Sequence, residues 1–296
     1  MQLARREILD KTARLLFRTT GIIVIAILGG IFFMLLWNTV AFFLKVKPID
    51  FITGTQWNPS ASKARYGILP LLVSTSLVTF GAMAIAIPLS IGTAAFLSEY
   101  AGKKLKNILK PVIEMLAAVP SVAIGFLGIV VLGPGIAHLT RQSNGLNALN
   151  GAILLAVMAL PTIITVAEDA INGVPKSYNE ASYGVGASKW QTLTKVTIPA
   201  AAPGILAAVM LGVGRAIGET MTVLMATGNA SSFPKGFFHS VRTITATIAI
   251  EMGEVPYQTT HYYALFAIAA VLFLITLIVN LIGEHFVNKY KKYQEA

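Results

Sequence analysis

Six apolar runs, each at least 22 residues long, constrain this 296-residue chain more than any other feature. They occupy residues 21–44, 66–98, 115–139, 146–167, 203–227 and 262–286. A bilayer core is roughly 30 Å thick and a helix rises about 1.5 Å per residue, so about 20 apolar residues suffice to cross it. Within hydrocarbon only helices and closed barrels satisfy the backbone. The runs are continuous and do not alternate, which argues against a barrel. The expectation is an all-α integral membrane protein with six transmembrane helices. Composition agrees: 55% of residues are hydrophobic and 12% charged, against about 25% charged in soluble domains.

The net charge of +10 would suggest nucleic acid in a soluble protein, so the placement of the charges decides its meaning. With the N-terminus inside, 15 of the 23 basic residues fall on the cytoplasmic side. These are Arg5, Arg6, Lys11, Arg14 and Arg18, then Lys103, Lys104, Lys106 and Lys110, then Lys176, Lys189 and Lys195, and finally Lys289, Lys291 and Lys292. Seven lie outside: Lys45, Lys47, Lys63, Arg65, Arg141, Lys235 and Arg242. That asymmetry orients both termini to the cytoplasm and removes the nucleic-acid signal. The first run, 24 residues long, exceeds the roughly 7–15 of a signal-peptide core and lacks a small-residue cleavage site, so it is expected to remain as a helix.

Residues 1–20 form a basic amphipathic segment, with Leu3, Ile8, Leu15 and Leu16 available to lipid and arginines to anionic headgroups. Residues 21–286 form the membrane domain and 287–296 a cytoplasmic tail. Pro88 and Pro161 lie inside runs and are expected to kink them. The hydrophilic stretches, 45–65, 168–202 and 228–261, are too short for a core of their own. Without cysteine there is no disulfide framework or thiolate site. His138, His239, His261 and His285 lack metal-ligand spacing, and no metal or cofactor is expected. No Walker A sequence is present, so any ATP dependence must come from another chain. Gly212-Val-Gly214-Arg-Ala-Ile-Gly218 misplaces the third glycine of a dinucleotide fingerprint and lies within a span. Gly214 and Gly218 are expected to admit a neighbouring helix.

The segment 168–202 is the most informative. Ser177 with Glu180, and Ser188 with Gln191, have capping-box spacing. Gly186 lies between them where a turn needs no Cβ. Pro199 is expected to end the second short helix and Pro203 to open the next span. The order Glu180-Ala181-x4-Gly186, followed by Val196-Thr197-Ile198-Pro199, resembles the EAA loop of ABC-importer permease subunits. Ser182 replaces the usual second Ala, Val196 an Ile and Ile198 a Leu. The resemblance implies a type I ABC importer permease (MetI-like) fold. It also implies that Glu180, Ala181, Gly186, Ala187 and Ser188 form the contact with a cytoplasmic ATPase.

A narrower resemblance spans residues 45–286. Thr53-Gly-Thr-Gln-Trp57-Asn-Pro59, Tyr66-Gly-Ile-Leu-Pro70, Gly214-Arg215-Ala-Ile-Gly218-Glu219-Thr-Met, Gly228-Asn229 and Arg242-Thr-Ile-Thr-Ala-Thr-Ile-Ala are similar to the PstC-type permeases of bacterial phosphate importers. That family implies a place in the bacterial inner membrane. It implies a second permease (PstA-like), a dimer of ATP-binding subunits (PstB-like) and an extracytoplasmic phosphate-binding protein (PstS-like) as partners, beside the lipid bilayer.

From the residues themselves, Arg215 lies twelve positions after Pro203, about 18 Å at the usual rise and close to the midplane. A charge there is costly and calls for a partner or water. Glu219, four residues on, is placed on the same helix face. The pair is a candidate substrate path for an oxyanion, or else a structural ion pair. Arg242 is a second candidate contact. Glu114, Glu251 and Glu254 receive no role. Rival functions are a permease for sulfate, molybdate or phosphonate, an ion-coupled secondary carrier, and a membrane enzyme. Inverted repeats and discontinuous helices would mark the carrier, and neither is legible; no cluster of nucleophile, base or metal ligands supports the enzyme.

Overall fold

The computed structural model describes the backbone of residues 2–295 and the side chains of residues 11–288. Leu3 and Ile8, and the tail side chains beyond 288, lie outside the described residues. Six helical stretches are long and apolar enough to cross a membrane: Lys11–Phe43, Leu69–Tyr100, Ser121–Thr140, Ala148–Asn172, Lys189–Gly218 and Thr260–Asn288.

The chain opens with α1 (Gln2–Phe43), a short α2 (Pro48–Thr53) and a two-stranded hairpin of β1 (Trp57–Asn58) with β2 (Arg65–Tyr66). Then α3 (Leu69–Ala95) runs through Pro88 and ends in a π turn, Phe96–Tyr100. Next come α4 (Lys103–Ala117), α5 (Ser121–Leu127), a π turn (Gly128–Leu132) and α6 (Gly133–Thr140). The third span therefore begins at Ser121 and not at 115, because Pro120, in extended conformation, separates it from the lysine-rich α4. α7 (Ala148–Asn172) is continuous through Pro161, and its N-cap Asn147 accepts the amide of Asn150.

After α7, α8 (Lys176–Gly184) begins directly at Pro175. The expected capping box of Ser177 with Glu180 does not form. The helix starts at Lys176, two residues earlier than a Ser177 cap requires, which puts Ser177 inside the first turn, where its hydroxyl no longer faces the orphan amides. The second box does form, Ser188 and Gln191 exchanging bonds at the start of α9 (Lys189–Thr192). α9 then passes through a π turn (Leu193–Thr197) into α10 (Ile198–Gly218) without a break. Neither Pro199 nor Pro203 ends a helix. Pro199 follows the π turn directly, so the continuous helix takes up a residue without an N–H where its bonding is already shifted from the regular pattern. The segment outside the spans is thus 173–188, shorter than the expected 168–202.

The fifth span is interrupted. α10 stops at Gly218, Glu219 is extended (φ −66°, ψ 132°), and helix resumes as α11 (Met221–Ala226). The segment expected on the outer side, 228–261, then carries α12 (Ile244–Glu251), and α13 (Thr260–Glu295) closes the chain. Amides at the start of α7 donate to this outer segment, Ala148 to His239 O (3.1 Å) and Leu149 to Phe237 O (2.8 Å).

Packing follows from small residues. The central core joins α3, α7 and α10 through alanines 82, 86, 156, 159, 167, 201 and 208, with Ile163 and Ile205 filling between them. A largely aromatic core beside the hairpin gathers Phe42, Phe51, Trp57, Ile68 and Leu265. Among its described residues, α1 packs against α13, buries Phe42 near its end and is otherwise mostly exposed. Gly204 lies against Ala170, Gly212 against Ile163 and Gly283 against Met210, so a Cβ has no room at any of them. Gly214 adjoins α13 at Asn280, but with room for a Cβ at 3.8 Å, and no neighbour among the described residues of this chain lies against Gly218.

Gly212→Val is expected to destabilise by about 1–3 kcal/mol through overpacking against Ile163, lowering the midpoint of thermal unfolding in detergent. Gly214→Ala should leave that midpoint unchanged, and equal effects of the two would contradict the packing described.

Candidate translocation and coupling sites

Arg215 stands in the last turn of α10 with its side chain exposed. Its Nη1 donates to Thr162 Oγ1 (3.0 Å), which lies near the middle of α7. The twelve-residue count from Pro203 does not set its depth, because the span starts at Lys189, but the Thr162 contact still stands near the middle of the neighbouring span. Its expected partner does not meet it: the helix ends between the two residues, so the four-residue spacing no longer aligns them, and among the described residues Arg215 forms no ion pair with Glu219. Glu219 turns toward α11 instead, its Oε1 accepting the amide of Thr222 (3.2 Å) while its carbonyl accepts Thr245 Oγ1 (2.8 Å). The positive charge of Arg215 is matched by the carbonyl end of α10. The Thr222 hydroxyl lies 3.1 Å from Ser121 O and 3.0 Å from Met158 Sδ, which ties the broken segment to α5 and α7. A guanidinium at mid-depth thus faces outward beside an open Gly218. Such a group must meet water, another chain or a passing anion.

Arg242 is already engaged. Its Nε donates to Asn229 O and its Nη1 to Glu251 Oε1, both at 2.9 Å. Glu251 also accepts Trp57 Nε1 (3.1 Å to each oxygen) and lies 2.7 Å from His261 Nε2. Arg242 and Glu251 are mostly buried, 20% and 13% exposed. One carboxylate therefore joins the hairpin, α12, the start of α13 and the Gly228-Asn229 turn, whose positive φ values are 80° and 58°. Sequence reasoning gave Glu251 no role. Trp57 lies 194 residues away, and no local pattern announces such a convergence. Nη2 of Arg242 carries no bond to another described residue, so the side chain keeps donors for an anion while serving the clasp.

At the other end, α8 and the turn after it are presented outward. Glu180, Ala181, Gly186 and Ser188 are exposed and Ala187 is half-buried. Gly186 has φ +84°, the left-handed conformation that favours glycine. Two hydroxyl contacts hold α8 to the following segment: Thr197 Oγ1 donates to Asn179 Oδ1 (2.9 Å), and Ser182 Oγ lies 2.9 Å from Thr192 Oγ1. Ser182, the departure from the family's second alanine, thus has a structural use. Tyr178, Tyr183 and Val185 are also exposed on this loop, an apolar surface that the motif alone did not include.

Beneath the loop lies a second acidic hub. Glu168, 1% exposed, holds Lys106 at 2.6 Å and Lys110 at 3.2 Å, and Lys110 also reaches Asp169 at 3.5 Å. Burial opposes the charge on Lys110, but the two carboxylates outweigh it and raise its pKa above the ordinary lysine value. Asn172 Nδ2 donates to Glu168 Oε1 and its Oδ1 accepts Ser98 Oγ, extending the network to the π turn that ends α3.

Residues 86–292 match the family described as binding-protein-dependent transport system inner membrane component. Among curated proteins, the chain is 39% identical over 246 residues to the probable ABC transporter permease protein YqgH of Bacillus subtilis, covering 83% of this chain and 80% of that one. It is 32% identical over 290 residues to the phosphate transport system permease protein PstC of Mesorhizobium japonicum, covering 90% and 86%. Two solved structures share the fold. A chain of the bacterial alginate ABC transporter, solved with an alginate-bound periplasmic protein, aligns with TM-score 0.64 at 14% identity over 94% of this chain and 96% of that one. One from the inward-facing MetNI methionine ABC transporter aligns with TM-score 0.56 at 19% identity over 76% and 94%.

Glu251→Ala leaves Trp57 Nε1 and Arg242 without their acceptor. Hydrogen bonds to a charged group are worth about 1.5–3 kcal/mol each, so a clear fall in thermal midpoint is expected, with increased proteolysis in 228–261. An unchanged midpoint and cleavage pattern would show that the clasp does not hold this end together.

Proposed function

The chain belongs to the family of inner membrane components of binding-protein-dependent transport systems, and on that premise we propose that it is a permease subunit of an ATP-driven importer of inorganic phosphate. It is a multi-pass membrane protein and has no catalytic role of its own; ATP is hydrolysed by a partner ATPase. Support for phosphate comes from the PstC-named relatives and from the residues of the broken span. The observation that carries the reading is Arg215, exposed at mid-depth, bonded to Thr162 and flanked by an open Gly218.

In this reading the path forms between α10 and a second permease subunit. Arg215 offers an oxyanion charge-assisted hydrogen bonds, and Thr162 steers the guanidinium. Arg242 supplies donors near the outer end, while Glu219 fixes the break. A site with one guanidinium and no clamp of cations releases a dianion as readily as it binds it. Both termini lie in the cytoplasm, an assignment supported by the basic residues at 5–18, 103–110 and 176–195. The extracytoplasmic side then faces a phosphate-binding protein, and the loop 173–188 faces an ATPase dimer.

Coupling is mechanical. Glu180, Ala181, Gly186, Ala187 and Ser188 present the docking turn, with Tyr178 and Val185 adding apolar surface. Residues 189–218 form one continuous helix, about 45 Å long. A tilt imposed at Ser188 by nucleotide-driven closure therefore displaces Gly218 and Arg215 at its far end. Glu168, gripping Lys106 and Lys110, carries α4 along with α7, so the motion is that of rigid packed helices.

Uptake of labelled phosphate in cells carrying the complete transporter tests the path. Arg215→Gln should lower uptake about tenfold, the loss of one charge-assisted bond, with the subunit present at normal abundance. Sulfate and molybdate in excess should not compete in the wild type. Normal uptake by the variant, or full competition by sulfate, would overturn the phosphate path.

The loop has a separate test. Gly186→Ala meets no steric obstacle but places a Cβ in the left-handed region, a strain of about 1–2 kcal/mol. Reduced uptake with ATPase activity retained is expected, and Gly186→Asp should be more severe. Wild-type coupling in both would remove this turn from the transmission.

A further inference from the structure

Four of the seven basic residues outside the spans on the non-cytoplasmic side converge on one place. Lys45, Lys47, Lys63 and Arg65 line a basin of about 660 Å³ between the end of α1, α2 and the hairpin, with Asp50 as its single acidic lining residue. The lining charge is thus strongly positive. None of the four basic groups forms an ion pair with a carboxylate among the described residues. The floor is built: the backbones of Gly54 and Gly67 touch closely, and Gly67 N donates to Gln56 O at 2.9 Å. Arg65 is oriented by donating Nη1 to Gln56 Oε1 at 2.7 Å, which leaves the rest of its donor fork free. Lys45 rests its ammonium 5.0 Å above the Tyr263 ring.

A second feature narrows the ligand. Beside the basin stand Leu44, just after the end of the spanning α1, and Ile49 and Ile52 of the short α2, exposed by 83%, 61% and 54%. Unpaired like charges held together on a fixed backbone call for a multivalent anion with several acceptor oxygens, and three ammonium groups with a guanidinium fork suit a phosphate group. We propose that this basin binds a phosphate group, presented either by an anionic phospholipid whose chains lie on the apolar rim or by free inorganic phosphate. It lies beside α1 and α13, apart from Arg215 on α10, and it stands whether or not the transport reading above is correct.

Amine footprinting of the purified complex tests it. The complex is placed in nanodiscs, which expose both faces, and acetylation rates of Lys45, Lys47 and Lys63 are compared with that of the exposed outer Lys235. One arm uses phosphatidylcholine discs with millimolar inorganic phosphate against sodium chloride of equal ionic strength. The other compares discs containing phosphatidylglycerol with phosphatidylcholine discs, both without phosphate. Protection of the three basin lysines by at least threefold, with Lys235 unaffected, is expected in one arm or both, and the arm identifies the source. Lys47→Gln with Lys63→Gln should abolish the protection remaining at Lys45 while the thermal midpoint stays that of the wild type. No protection in either arm, protection that extends equally to Lys235, or protection that appears only on adding an extracytoplasmic binding protein would overturn the proposal.

Discussion

In hydrocarbon an unpaired backbone amide or carbonyl costs several kcal/mol, and the architecture of this chain answers that constraint position by position. Where a span is interrupted, substitutes for the helical bonds appear at once. At the break in the fifth span, the amide of Thr222 is taken by Glu219 Oε1, the carbonyl of Glu219 by Thr245 and the carbonyl of Gly218 by the Thr220 hydroxyl at 3.3 Å. At the start of α7 the first amides are received by carbonyls of the outer segment. The 228–261 stretch is therefore part of the membrane domain and no loose loop. Its helix α12 folds inward, with Ile244, Thr245, Ala246 and Thr247 buried and Ile244 N donating to Thr75 Oγ1.

The same constraint explains how the spans pack. Lipid tails are as apolar as leucine, so helices gain from each other by close van der Waals approach and interhelical polar contacts. The centre of the molecule is accordingly an alanine core in which glycines 204 and 212 admit the side chains of α7. Charge enters only at defined places. Glu168 and Glu251 each collect several donors, one beneath the 173–188 loop and one at the opposite end of the helices. Each ties together elements far apart in the chain, while Arg215 has no carboxylate partner among the described residues.

Much of this was legible in the residues because it depends on local rules. Run length determined the number of spans, and serine with glutamine three residues on marked the cap of α9. Gly186 marked a left-handed turn. Other expectations failed where a nonlocal or short-range competitor intervened. Pro175 started α8 before Ser177 could cap it, and the π turn after Thr192 let one helix absorb Pro199. A discontinuous helix was not legible, since nothing in Gly218-Glu219-Thr220 distinguishes a break from a continuous span. The break therefore no longer separates carriers from importers here; family membership does that.

By itself the sequence determined the class of fold, the count of spans and the turn at Gly186, which follow from hydropathy, run length and spacing. Tertiary structure decided which charges meet. Glu219 faces Thr222 and not Arg215, and Glu251 is shared by Arg242, Trp57 and His261. The physical reason is that helical spacing fixes neighbours only while the helix lasts. Once a carbonyl or amide is released, the partner it finds depends on what the rest of the fold brings within about 3 Å, and that distance is set by residues far away in the chain.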